Sequence, residues 1–413
     1  MKILHISTFD SGGAGLSCIR LHMGLLGNGY NSKVLVLRKT TDAPEVYQFE
    51  KNIYRLPKII RWPFLFLKLV LHKLKIPVSQ YQRLQYKLDS LRAISSPVYS
   101  LPVSDYDLSK HPLFVEADLI HLHWTAGFLD WPSFFGKVIK PVVWTIHDEN
   151  LYFGGFHYRK EQIENISVYG KFEKKLIEIK QKSIHQCNNL SIVSLSKMML
   201  KLSLSEEIVK NRKHYLISNS VDHNVFMQFD KKLSRNVFGL PQDKKILVFI
   251  SYYLNDKNKG LTELVIALNE LKYPDLVLFA IGIGKSEIET SFEIFYPGAI
   301  VDPRLLPLAY SASDIYVMPS FQEGFAQTPL EAMACGLPIV AFPCSGTEEL
   351  INEKNGVRAT EFTIASLKNC IKLALSTKYK SDWIREDVLT RFGIKNMIGQ
   401  YLSVYNNTLD DQI

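Results

Sequence analysis

Short runs rich in β-branched and aliphatic residues alternate along this chain with longer stretches whose apolar positions recur every three or four residues. KILHIST (2–8) has the first pattern, GLSCIRLHMGLLGNG (15–29) the second, and NSKVLVLRK (31–39) returns to the first. DLIHLHW (118–124), PVVWTIHD (141–148) and NLSIVSLS (189–196) continue the series of strands. Strands separated by helical stretches pair in parallel, because a crossover helix brings the chain back to the same end of the sheet. The grammar restarts at KKILVFIS (244–251), followed by a helix GLTELVIALNEL (260–271) and a strand DLVLFAIGIG (275–284). LPLAYSASD (306–314), IYVMPS (315–320), TPLEAMACG (328–336) and PIVAFP (338–343) complete it as helix, strand, helix, strand. The polar stretch LISNSVDHNVF (216–226) separates the two series. The pattern predicts an α/β protein of two doubly wound, Rossmann-like domains facing a cleft, since open α/β sheets bind ligands beyond the carboxyl ends of their strands.

Composition leaves this picture intact. The 413 residues suffice for two or three domains, and 46% hydrophobic with 22% charged residues is ordinary for a globular chain without low-complexity tracts. The five cysteines (Cys18, Cys187, Cys335, Cys344, Cys370) are scattered and form no CxxC pair, which suits a reducing compartment and predicts neither a zinc cluster nor a disulfide framework. The opening MKILHISTFD passes straight into a strand with no leader-like apolar region, so the expected location is cytoplasmic.

Charge adds one feature. The net charge of +8 is uneven: residues 1–215 hold 30 Lys/Arg against 18 Asp/Glu, and the remainder 19 against 23. Residues 51–92 carry ten basic residues and one acid, Asp89, around IIRWPFLFLKLVLHKLKI. Arg61, Pro63 and Lys68 interrupt that run before it reaches the ~20 apolar residues of a membrane span. Two readings remain: a helix docking on an anionic membrane surface, or one packing its Phe and Leu face into the domain with a solvated basic face outside.

Candidate chemistry sits in EGFAQTPLE (323–331). Thr328 followed by Pro329, with Glu331 three residues after the threonine, fits a helix N-cap and capping box, and this alone would account for Glu331. It leaves Glu323 unexplained: an acid in a Gly-containing turn after the strand IYVMPS, where it can accept hydrogen bonds from hydroxyls. Near the N-terminus, STFDSGGAGLS places Gly12, Gly13 and Gly15 after the first strand, either as a tight turn or as backbone N–H groups brought close to a phosphate. The loop is not GxGxxG and no acid closes KVLVLRK, which disfavours a nicotinamide cofactor.

With its flanks, PSFQEGFAQTPLEAMACGLPIVAF (319–342) resembles the donor-site signature of the retaining GT-B glycosyltransferases of family four, and the SGGAG loop, WTIHD, ISNSVD, NKGL and the closing NMIGQYLSVYNNTL follow in the family's order. The resemblance implies an acceptor-binding domain over 1–215, a nucleotide-sugar-binding domain over 216–389, and a final helix, about 390–413, that returns to the first domain. It further implies that Glu331 binds the donor ribose and that Glu323 lies beside the transferred sugar with the N–H groups of Gly324, Phe325 and Ala326. Lys259 would meet the diphosphate, His147 the donor sugar, and Gly12 and Gly13 would help with the phosphates. Asp148 would orient His147 or cap the next segment. Transfer would proceed by front-face substitution with retention, without cofactor or metal. One departure stands out: Tyr253 occupies the position six residues before Lys259 where relatives commonly carry an arginine.

The expected partners are a nucleotide sugar, a glycan or lipid-linked glycan acceptor from surface polysaccharide biosynthesis, and an anionic membrane through residues 51–92; no nucleic acid is expected. Trp124 and Trp131 are candidates for stacking on an acceptor sugar or for the core. The same architecture also suits a nucleotide-sugar epimerase or a sugar phosphorylase, and the basic front half alone would suit a polyanion-binding protein.

Overall fold

The computed structural model describes residues 1–50, 58–91, 98–300 and 302–410. The chain divides into two compact units. The N-terminal unit comprises Met1–Leu195, Met199–Ile217 and the chain from Ile398 onward; Ser218–Met397, with Ser196–Met198, forms the C-terminal unit.

The N-terminal unit is built on seven strands, β1 (Lys2–Phe9), β2 (Asn31–Arg38), β3 (Val46–Gln48), β4 (Leu119–Leu122), β5 (Val142–Ile146), β6 (Leu190–Ser194) and β7 (Lys213–Leu216). They form one sheet in the order β3-β2-β1-β4-β5-β6-β7, every neighbour parallel. Strands β4 and β5 are buried along their whole length, as strands covered on both faces must be. The closing helix Ile394–Asp410 packs into this unit: Tyr405 Oη meets His121 Nδ1 at 2.7 Å, and Tyr401 Oη meets Thr145 Oγ1 at 2.8 Å.

Six strands form the second sheet: β8 (Lys245–Tyr253), β9 (Leu276–Ile283), β10 (Glu293–Gly298), β11 (Ile315–Met318), β12 (Ile339–Ala341) and β13 (Gly356–Arg358). Their order is β10-β9-β8-β11-β12-β13, again all parallel. In each sheet the winding reverses once, between β1 and β4 and between β8 and β11. Chains leaving those strand ends diverge and open a crevice.

The basic stretch folds as two helices, Lys58–Lys73, which runs through Pro63, and Gln80–Asp89; residues 51–57 and 92 lie outside the described residues. Trp62, Phe66, Leu67 and Leu69 are exposed; the side chains of Phe64 and Leu65 lie outside the described residues. Among the described residues no helix is long and apolar enough to cross a membrane. All five cysteines are free and buried.

Candidate active site

In the C-terminal unit, Lys259 and Glu323 are brought together by a close backbone approach. After β8, Asp256 accepts from Asn258 N (2.9 Å) and starts a 3-10 turn, Lys257–Lys259, that ends at Gly260 with φ +74°. A Cβ at Gly260 would lie 2.1 Å from the carbonyl oxygen of Pro319, so only glycine lets this turn sit against the chain leaving β11. Phe321 N donates to Asn258 O at 2.9 Å and fixes the contact. Lys259 Nζ then donates to Glu323 Oε1 at 2.7 Å. The charge of Glu323 holds the ammonium above the ordinary lysine value, against the opposing effect of burial.

The turn after Glu323 presents its backbone donors. Gly324 O accepts from Ser345 Oγ (2.8 Å) and Phe325 O from Asn219 Nδ2 (2.7 Å). In a trans peptide the N–H points opposite to the C=O, so the N–H groups of Phe325 and Ala326 face away from those anchors. Among the described residues, no acceptor meets the N–H groups of Gly324, Phe325 or Ala326. Phe325 itself is buried against Gly346, which has no Cβ to displace its ring.

Glu331 lies in the first turn of the helix Thr328–Ala334, and its capping-box reading does not hold. The N-cap is Gln327, whose side chain makes no capping hydrogen bond, and Thr328 Oγ1 accepts from Tyr316 Oη at 2.6 Å instead. Glu331 is 4% exposed and accepts from the buried Tyr310 Oη at 3.2 Å. Tyr253 is exposed and stands edge-to-face on Tyr252, 4.7 Å between centroids.

Gly12, Gly13 and His147 belong to the N-terminal unit. Asp10 ends β1 by accepting four hydrogen bonds from the N–H and hydroxyl groups of Thr40 and Thr41 at 2.7–2.8 Å. Burial raises its carboxyl pKa, but these donors outweigh that and hold it low. Gly12 and Gly13 then open the helix Gly12–Gly27 with exposed backbone, and nothing lies within 4 Å of a Cβ added at either. Gly15 is the tightly packed glycine: its Cβ would fall 2.8 Å from the Phe9 carbonyl oxygen.

His147 follows β5 and turns its Nε2 to His123 Nδ1, 3.3 Å away. Burial pushes it down to about 4, with the charge of Asp148 opposing. Asp148 accepts from Asn150 N (3.0 Å), Trp124 Nε1 (2.7 Å) and His157 Nδ1 (2.6 Å), and these bonds anchor Trp124 and the loop rather than His147. The loop's other anchors were not apparent from the sequence. Glu173 accepts from Gly154 N (2.8 Å), Gly155 N (2.7 Å) and Tyr99 Oη (2.6 Å), while the fully buried Lys180 donates to Asn150 and to Phe153 O (2.8 Å). Both come from one 27-residue helix, Arg159–His185. Trp131 is core, packed on Trp144 at 4.9 Å, and the cavity beside it measures about 30 Å³, room for about one water and not for a sugar.

His5, His121 and His123 share one face of β1 and β4, with nitrogens within 4.8 Å of one another, a spacing a metal ion could use. The rings of His121 and His123 are tilted by 34° with their centroids 4.2 Å apart. Both nitrogens of His121 are already engaged, by Tyr405 Oη and Thr145 Oγ1.

Residues 244–376, which carry the Lys259–Glu323 site, match the family model of the glycosyl transferases group 1. The match covers that stretch and supports a glycosyltransferase. The glycosyltransferase is 23% identical over 357 residues to the N-acetyl-alpha-D-glucosaminyl L-malate synthase of Bacillus anthracis, covering 82% of this chain and 84% of that one. Among solved structures it resembles the sucrose-phosphate synthase of Thermosynechococcus elongatus, with a TM-score of 0.65 at 17% identity over 100% of both chains. It also resembles the Anabaena protein HepE, solved with UDP-glucose, with a TM-score of 0.62 at 17% identity over 98% of this chain and 100% of that one. These likenesses establish the GT-B fold, and none of them favours an epimerase, a phosphorylase or a polyanion-binding protein.

Proposed function

We propose that this glycosyltransferase moves a hexosyl group from a nucleotide-diphosphate sugar to a glycan or lipid-linked glycan acceptor, with retention at the anomeric carbon, in surface polysaccharide assembly on the cytoplasmic face of a membrane. The observation that carries the reading is the Lys259–Glu323 pair beside the unpartnered N–H groups of Gly324, Phe325 and Ala326.

Without donor, Glu323 neutralises Lys259. A diphosphate carries more charge than one carboxylate and competes for the ammonium, which frees Glu323 to accept hydrogen bonds from sugar hydroxyls. As the bond from the anomeric carbon to the diphosphate breaks, charge grows on the leaving oxygen, and Lys259 stabilises it. The acceptor oxygen bonds to the same face, so no enzyme nucleophile is required. Glu331, steered by Tyr310, accepts from the ribose hydroxyls. Because an ammonium and backbone donors neutralise the leaving group, the reaction should survive EDTA; complete loss that magnesium restores would show a metal requirement.

The donor is identified by thermal shift with UDP, GDP, ADP, CMP and their sugar conjugates, since a ligand of the folded state raises its apparent stability. One nucleotide should stabilise the wild type, and Glu331→Gln should weaken that shift. Proton coupling constants of the product then read the configuration: the donor's own is expected, and the opposite would refute retention.

A further inference from the structure

The face of the N-terminal sheet beneath His147 carries a chain of imidazoles. His5 Nδ1 lies 3.1 Å from His123 Nε2, and His123 Nδ1 lies 3.3 Å from His147 Nε2. The parallel register builds it: His5 on β1 pairs with His121 on β4, and His123 follows two residues later on the same face. His5 and His123 are 0% and 2% exposed, and among the described residues His5 Nε2 meets no hydrogen-bond partner. All three rings stay neutral, because burial and the neighbouring histidines disfavour protonation of His5 and His123, and burial disfavours it at His147.

A neutral imidazole has one N–H and one lone pair, so the two contacts must run in the same direction. In one direction His147 Nε2–H donates to His123, His123 Nε2–H donates to His5, and the proton of His5 is stranded on Nε2 as a buried donor without a partner. In the other, His5 Nδ1–H donates to His123 Nε2, His123 Nδ1–H donates to His147 Nε2, and the stranded atom is only a lone pair. A buried orphan N–H is the costlier of the two.

We infer that His5 and His123 are positioning residues that hold His147 as the Nδ1–H tautomer, so that it meets the substrate as a hydrogen-bond donor and not as a general base. The role toward substrate rests on the reading that His147 lines the sugar site; the tautomer does not. An Nδ1–H there would donate to a sugar hydroxyl or ring oxygen, and proton removal would have to come from elsewhere.

The test needs no substrate. With ¹⁵N-histidine labelling, two-bond nitrogen–proton correlation spectra at neutral pH distinguish the tautomers, and His147 is assigned by loss of its signals in His147→Gln. The expected wild-type spectrum has the proton of His5, His123 and His147 on Nδ1. His123→Phe should abolish the single-tautomer signature of His147, shifting it toward Nε2–H. Tyr405→Phe, which disturbs the histidine cluster through His121 alone, should leave it intact. A wild-type His147 protonated on Nε2 overturns the inference, and this holds even where His123→Phe fails to fold. An unchanged His147 tautomer in a folded His123→Phe overturns the role of His123. Absence of nucleotide-sugar binding in a protein with the expected spectrum refutes the proposed function and leaves the tautomer assignment standing.

Discussion

His5, His121, His123 and His147 are all held below the ordinary histidine value, chiefly by burial. An unfolded histidine takes up a proton near 6.5, whereas His147 resists until about 4. Between those values the unfolded state binds more protons, so stability is complete above pH 6.5 and is lost as pH falls toward 4. Each such histidine contributes a slope approaching ~1.4 kcal/mol per pH unit. Urea midpoints should therefore be flat just above pH 7 and fall steeply below 6.5; a midpoint constant from pH 7 to 5 would contradict this. At Gly260 the backbone is equally constrained. Gly260→Ala puts a Cβ against Pro319 O at positive φ and should cost roughly 1–3 kcal/mol while displacing Lys259. Denaturation melts and loss of the nucleotide-induced shift would measure both effects. Glu331 was legible in the sequence as a residue of interest, yet its local role was misread. Thr328 is taken by Tyr316 from β11, a tertiary contact that spacing along the helix cannot reveal.

At the scale of elements, the inner strands were plain because parallel sheets bury continuous apolar runs, as in β4 and β5, whereas the edge strands β3, β7, β10 and β13, short or only partly buried, were not. The 27-residue helix Arg159–His185 was not. Its buried face includes Glu161, Asn165, Glu173 and Lys180, so the helical period in apolar residues is broken where the helix matters most. Glu173 and Lys180, two turns apart, hold the loop after His147 by its N–H and its C=O groups respectively. Burial draws Lys180 down to about 7, with Glu173 and Asp148 opposing. Lys180→Met should strand the Asn150 and Phe153 carbonyls, lower stability by roughly 1–3 kcal/mol, and speed amide exchange across 149–157 before the rest of the unit. Uniform exchange would mean that the helix does not anchor the loop. The Lys259–Glu323 contact was likewise hidden, since it joins the ends of β8 and β11 through a fold-level register.

For the whole molecule, the charge asymmetry and the exposed apolar side chains coincide on the helix Lys58–Lys73. Trp62 is 68% exposed and Phe66 66%, on a stretch whose basic residues would favour an anionic bilayer. The protein should co-sediment with vesicles containing anionic lipid, less so as salt rises, and Trp62→Ser with Phe66→Ser should reduce binding. Equal binding to neutral vesicles would refute the electrostatic part. The central claim is that Lys259 is the diphosphate-binding group of a donor site. It is tested most directly by titrating the wild type and Lys259→Met with the stabilising nucleotide as its mono- and diphosphate, and reading Tm. The account predicts a larger shift with the diphosphate in the wild type and loss of that difference in the variant; a diphosphate preference that survives Lys259→Met would contradict it.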